Sequence, residues 1–242
     1  MRARSCLVMI IVLLVYAVIA YPEQFSYPLI DKSQRDSPIS LSGTVDSKDD
    51  ISAEKPRTSF MVRAELTNRS GRDILLAIVR MEMKSTNGFE ANHTRINEYF
   101  FSSDVFRNGA TEAFQDIVVP LEHIDNENMG HPTRPKASAR VAFVQFLDGS
   151  TWGESEDADE VLLERQETWR ELRSLADTYE TNGEQEFVNR LAKPSSLQTI
   201  KYLQGVFSND KSITKVITEI NQLLSHADLH RLSSPARVAR SH

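Results

Sequence analysis

His226 and His230 stand four residues apart and Glu219 seven before His226, so on a helix all three fall on nearly one face. Two imidazoles and a carboxylate are donor types that ligate zinc or another transition metal. No glutamate follows His226 in the His-Glu-x-x-His manner, and histidines near a helix C-terminus also interact well with its dipole. A second cluster is the acidic run Glu154, Glu156, Asp157, Asp159 and Glu160. Together with Asp148 its hard oxygens suit calcium, although the spacing matches no EF-hand loop. The same acids at a helix start favour the dipole without any ion. Gly149-Ser150-Thr151-Trp152-Gly153 resembles a nucleophile elbow only superficially, because Thr151 holds the central position without a β-α-β context. Trp152 is a candidate partner-binding residue that could stack on a ligand, against a plain role as a plug at a strand end. No phosphate loop, dinucleotide fingerprint or paired-cysteine site occurs in the sequence. The reading assigns no catalytic residue and no cofactor.

The elements that must position these groups change character near Gly153. Before it the hydrophobic period is two. Ile39, Leu41, Gly43 and Val45 alternate with small polar residues, and Phe60, Val62, Ala64 and Leu66 alternate with Met61, Arg63, Glu65 and Thr67. Asn68 to Asp73 then reads as a turn and Ile74 to Met83 as a longer apolar strand, which predicts an antiparallel hairpin with the strand before it. Thr94–Phe101, Glu112–Val119 and Ala137–Phe146 complete the strand set, with Asn87-Gly88 and Asn108-Gly109 as turns. Leu121–Pro135 is a long loop whose His123, His131 and Arg134 are candidates for binding a partner. About six short strands in one run predict an antiparallel two-sheet sandwich.

The order Ser42-Gly43-Thr44-Val45, Glu65-Leu66-Thr67-Asn68-Arg69-Ser70, an apolar strand, and Val144-Gln145-Phe146-Leu147-Asp148-Gly149-Ser150 resembles the immunoglobulin-like, FxLYD-type modules of bacterial secreted proteins. Ile78 to Met83 departs from that type, since it lacks the Phe-x-Leu-Tyr-Asp signature. The resemblance covers residues 38 to 153 and implies an immunoglobulin-like sandwich and partner binding, not a defined activity.

After Gly153 the period becomes 3.6. The first helix is expected to run to about Glu180, with Leu162, Trp169, Leu172, Ala176 and Tyr179 on one face. Phe187, Val188 and Leu191 mark a second helix ended by Pro194, Ser195 caps a third, and Asp210 or Ser212 starts a fourth. Four helices with short links predict a small antiparallel bundle. The expected organisation is α+β with two domains: residues 1–20 a signal peptide, 21–37 an extended leader, 38–153 the sandwich, 154–232 the bundle and 233–242 a disordered tail.

Arg2 and Arg4 precede an apolar run from Leu7 to Ala20 that ends in small residues, the pattern of a cleaved secretory signal. The run falls short of the roughly 20 residues that span a bilayer. Removing Arg2 and Arg4 leaves 26 basic against 34 acidic residues, a balance that argues against a nucleic-acid partner. Cys6, the only cysteine, leaves with the signal, so the mature chain has no thiol nucleophile and no disulfide. For an exported chain this size, that points to a bacterial envelope. Asn68-Arg69-Ser70 and Asn92-His93-Thr94 fit the glycosylation sequon. The sequence is therefore expected to specify a secreted or periplasmic, non-enzymatic module that binds another envelope or extracellular protein. The alternatives are a metal-dependent hydrolase or metal-binding protein using His226, His230 and Glu219, and a membrane-anchored structural module if the signal is kept.

Overall fold

A computed structural model describes residues 25–50, 57–84, 90–118 and 136–233 of the chain. Eight strands come first: β1 (Phe25–Asp31), β2 (Ile39–Asp50), β3 (Arg57–Asn68), β4 (Ile74–Lys84), β5 (Glu90–Glu98), β6 (Thr111–Val118), β7 (Lys136–Phe146) and β8 (Thr151–Gly153). A 3-10 turn at Ser155–Asp157 leads into four helices, α1 (Asp159–Asn182), α2 (Glu184–Leu191), α3 (Gln198–Asp210) and α4 (Ile213–Ser233). The fold is α+β. The expected signal at residues 1–20, the loop Leu121–Pro135 and the tail beyond Ser233 lie outside the described residues.

The strands form one curled sheet in the order β5-β4-β7-β1-β2-β3-β6, with β8 added on β7. Its two layers are joined by β1, which changes partner along its length. Phe25 to Pro28 run antiparallel to β2, and Leu29 to Asp31 run parallel to β7. Pro28, which has no backbone N–H to give to a ladder, sits at the exchange. Val45, Val62 and Leu66 of one layer share a core with Val79, Met81, Val141 and Val144 of the other. The sheet is thus a half-barrel around one interior, and the two separate sheets expected from the sequence are not formed as such, because the β1 ladder runs from one layer into the other. The segment read as a leader is also part of the fold: it supplies β1, and Leu29 joins the core.

The expected hairpin of β3 with β4 does not form. β3 pairs with β2 and β6, and β4 pairs with β5 and β7. The turn between them instead carries the chain from one layer to the other, and Asn68 fixes it. The Asn68 amide is fully buried, donates to the carbonyls of Arg72 and Phe106 at 2.8 and 2.9 Å, and accepts from the Ser70 N–H and hydroxyl. Every hydrogen-bonding group of this sequon amide is spent on the turn and on the Phe106 carbonyl beside it.

The helices attach to the outer side of β4 and β7, where strand alternation breaks. The register of β4 against β7 slips between Ile74 and Leu76 and again between Ile78 and Val79, the signature of β-bulges. As a result Ile74, Ala77 and Val79 join the inner core, while Leu76, Ile78, Ala142 and Phe143 pack with Ala158, Val161 and Leu162 at the start of α1. Leu75 packs with Phe100 and with Ala227 near the end of α4. The bundle has its own core of Leu172, Leu175, Phe187, Leu203, Val216 and Ile220. Ser212 accepts the N–H of Lys215 at 3.2 Å at the head of α4, a side-chain cap of the kind the sequence predicts, whereas Ser195 accepts the N–H of Leu197 at 3.2 Å in a turn ahead of α3, whose N-cap Leu197 makes no side-chain cap bond.

Candidate functional site

The densest polar constellation lies where the half-barrel stays open. β5 and β6 are the two ends of the hydrogen-bonded strand order, and among the described residues side chains alone bridge them. Along β5 and just past it, His93, Arg95, Asn97 and Tyr99 recur at period two, so they form one row. Opposite them stand Glu112, Phe114 and Asp116 of β6. His93 Nε2 lies 3.2 Å from Asp116 Oδ2, and Arg95 Nη1 lies 3.4 Å from Asp116 Oδ1. Arg95 also donates to Asn97 Oδ1 at 2.9 Å, and its guanidinium stands 5.4 Å from the centre of the Phe114 ring. Asn97 donates to Glu112 Oε2 at 3.1 Å, and Tyr99 donates its hydroxyl proton to the same oxygen.

Burial, and after it the Glu112 carboxylate, push the Tyr99 hydroxyl above the ordinary phenol range. The phenol therefore remains a donor throughout the neutral range. His93 beside Asp116 is a carboxylate–imidazole pair, an arrangement that can hold or pass a proton. Among the described residues no hydroxyl or thiol is hydrogen-bonded to His93, so the pair stands without an attached nucleophile. What the seam offers is a row of fixed donors and acceptors between two strand edges whose outward backbone groups no other described strand takes up.

The residues singled out by sequence fall elsewhere. His226 and His230 do share one face of α4, but both turn to the chain that follows β5. His230 Nε2 donates to the Ser102 carbonyl at 3.0 Å, and His226 Nδ1 approaches the Phe101 carbonyl at 3.4 Å. A carbonyl only accepts, so Nε2 of His230 carries a proton. Glu219 is drawn off to the Tyr202 hydroxyl at 3.4 Å. Among the described residues no group of three or more His, Cys, Asp or Glu side chains could hold a metal ion. The two histidines instead hold the end of α4 to the sheet, with the His230 ring 6.3 Å from that of Phe100. Trp152 packs against the half-barrel core and its indole N–H reaches Asp36 at 3.4 Å. His123, His131 and Arg134 lie outside the described residues. The acidic run opens α1, where Asp159 and Glu160 occupy the first turn.

Sequence reading did not pick out the seam. The row His93, Arg95, Asn97, Tyr99 was visible as a polar alternation, but its partners sit on a strand that becomes a neighbour only when the sheet curls.

No family model matches the chain, and no curated protein is similar to it. Among solved structures, one described as an X-ray structure of Northeast Structural Genomics Consortium target SoR45 aligns with a TM-score of 0.31 and 10% identity, covering 49% of this chain and 82% of that one.

Proposed function

We propose that the chain is an exported, non-enzymatic module of the cell envelope or extracellular space that binds another protein through the open seam between β5 and β6. The observation that carries this reading is the pair of facing sheet edges bridged only by side chains. Exposed edges are the template for strand addition by a partner, with main-chain bonds giving affinity and the flanking side chains giving selectivity. The loop Leu121–Pro135, whose His123, His131 and Arg134 the sequence offers for partner binding, follows β6 in sequence. The Arg2-Arg4 head and the apolar run to Ala20 support export through a cleaved signal. A retained signal would instead tether the module to a membrane. We also infer that the half-barrel is a divergent immunoglobulin-like sandwich of the FxLYD kind. A shared core between two layers and a strand that passes from one layer to the other support this reading.

A photoreactive amino acid placed at exposed Thr94 on β5, and in a second protein at exposed Lys201 on α3, tests the binding surface in extracts of the envelope. A discrete adduct is expected from the Thr94 position alone. Equal labelling from both positions, or none from Thr94, removes the seam as the recognition surface. Mass spectrometry of the secreted protein checks export, with a mature N-terminus at Tyr21 expected.

A further inference from the structure

A second site lies away from the seam, at the junction of the sheet with α1 and α4. Phe100, Leu162, Arg165, Trp169, Arg170 and Arg231 line a cavity of about 280 Å³, just below the size range of pockets for drug-like ligands. With Gln166 the lining has seven side chains, of which three are guanidinium groups and none is a carboxylate, in a chain whose net charge is −6. Arg165 is fixed in place. It makes a two-pronged contact with Glu98 Oε2 at 2.8 and 3.0 Å, donates to Gln145 at 2.7 Å, and lies 4.7 Å from the Phe100 ring centre. Its side chain is only 9% exposed, so Glu98 compensates its charge within the protein.

Arg170 and Arg231 differ. Both are exposed, and among the described residues neither has a carboxylate within ion-pair distance. Arg231 stands 4.3 Å from the Trp169 ring centre, a cation–π contact that holds the guanidinium at the cavity wall. Arg173, the next arginine on α1, is by contrast engaged by Asp228. Trp169 adds a further open valence: its indole Nε1 is buried and has no hydrogen-bond partner, which leaves a donor that favours an acceptor nearby. Two uncompensated guanidiniums in one concave site repel one another and gain from a shared anion. Guanidinium groups match carboxylate and phosphate oxygens in a two-pronged fashion. The aromatic and aliphatic walls of Phe100, Leu162 and Trp169 then decide between these two anions. An inorganic phosphate would leave them unused, whereas a carboxylic acid with an apolar body covers them.

We propose that this cavity binds a small carboxylic acid carrying an aromatic or apolar body, with Arg170 and Arg231 on the carboxylate and Trp169 and Phe100 against the body. The site is separate from the β5/β6 seam, so its test and that of protein binding fail independently.

The probe is 3-phenylpropionate, titrated into the mature protein by calorimetry and, in a Trp152→Phe background, followed by fluorescence of the remaining Trp169. Saturable binding is expected at submillimolar concentration or tighter, with a change in Trp169 emission. The double variant Arg170→Gln/Arg231→Gln weakens it by at least about tenfold, while the thermal midpoint stays where it was, since both side chains are exposed. The neutral amide of the same acid binds at least about tenfold more weakly. The proposal is overturned by absence of saturable binding into the millimolar range, by an unchanged affinity in the double variant, or by equal binding of acid and amide. Inorganic phosphate binding more tightly than the acid would equally overturn it, because the apolar walls would then contribute nothing.

Discussion

Tyr99 keeps its proton because it is half-buried and because its hydroxyl donates a hydrogen bond to the Glu112 carboxylate. The unfolded chain releases that proton near pH 10. Above this point the folded state binds more protons than the unfolded one, so the stability Tyr99 contributes is complete below about pH 10 and declines as pH climbs toward the folded value. Tyr99→Phe is expected to show a shallower loss of urea midpoint between about pH 9.5 and 11 than the parent. An identical slope would place the effect elsewhere. His230 gives a second residue-level test. It is 4% exposed, donates to Ser102 and packs on Phe100, so His230→Ala is expected to cost about 2 to 4 kcal/mol in urea unfolding through a lost hydrogen bond and a cavity. Adding EDTA should leave the thermal midpoint of the parent unchanged, and a drop would return the histidine pair to metal binding. The sequence placed His226 and His230 on a common helical face, which the structure has, but helical spacing carries no information about what the face meets. Here it meets two carbonyls at the end of the β5 edge.

At the scale of elements, the outlines of β2, β3, β4, β6, β7 and all four helices were legible from periodicity, because the period of a half-buried strand or helix depends only on local geometry. β1 was hidden by its change of partner at its one proline, Pro28, which leaves too few residues on either ladder to show a clean alternation. The bulges of β4 and β7 were equally hidden. A fully apolar stretch such as Ile74–Val79 does not say which side chain faces which layer. Gly153 belongs to this level. It sits at φ 90° opposite Phe143, next to the bulged Ala142, and a Cβ there would come within 2.2 Å of the Ala142 carbonyl oxygen. Gly153→Ala therefore combines a disfavoured backbone with a clash against main chain, and an expected loss of about 2 to 4 kcal/mol follows. Gly71→Ala, also at positive φ but with nothing within 4 Å of an added Cβ, is expected to cost less, and the difference between the two unfolding midpoints checks the role of the close approach.

For the whole molecule, the sequence separated a strand half from a helical half at Gly153, and the change of secondary structure falls there. What it could not supply was the joint between them. Phe143 and Ala142 pack on the head of α1, Leu75 and Phe100 on the end of α4, and Arg165 of α1 is locked to Glu98. With both ends of the bundle fastened to the sheet, the halves are expected to unfold together. Single-tryptophan proteins reporting from Trp152 in the sheet and Trp169 in the bundle should give coincident urea transitions. Phe143→Ala is expected to cost about 3 to 5 kcal/mol and to lower both midpoints together. Two separated transitions would show that the joint is too weak to couple the halves.

The exchange of β1 from β2 to β7 also sets a timetable. Leu29 finds its place only beside Ala137, so the first of the described strands has half of its seat built by one of the last. Until β7 arrives the sheet has no bridge between its layers, and pairings this remote in sequence are slow to form. Hairpins such as β2–β3 and β4–β5 join neighbours in sequence and do not wait for β7, so closure of the curled sheet is expected to be the late step.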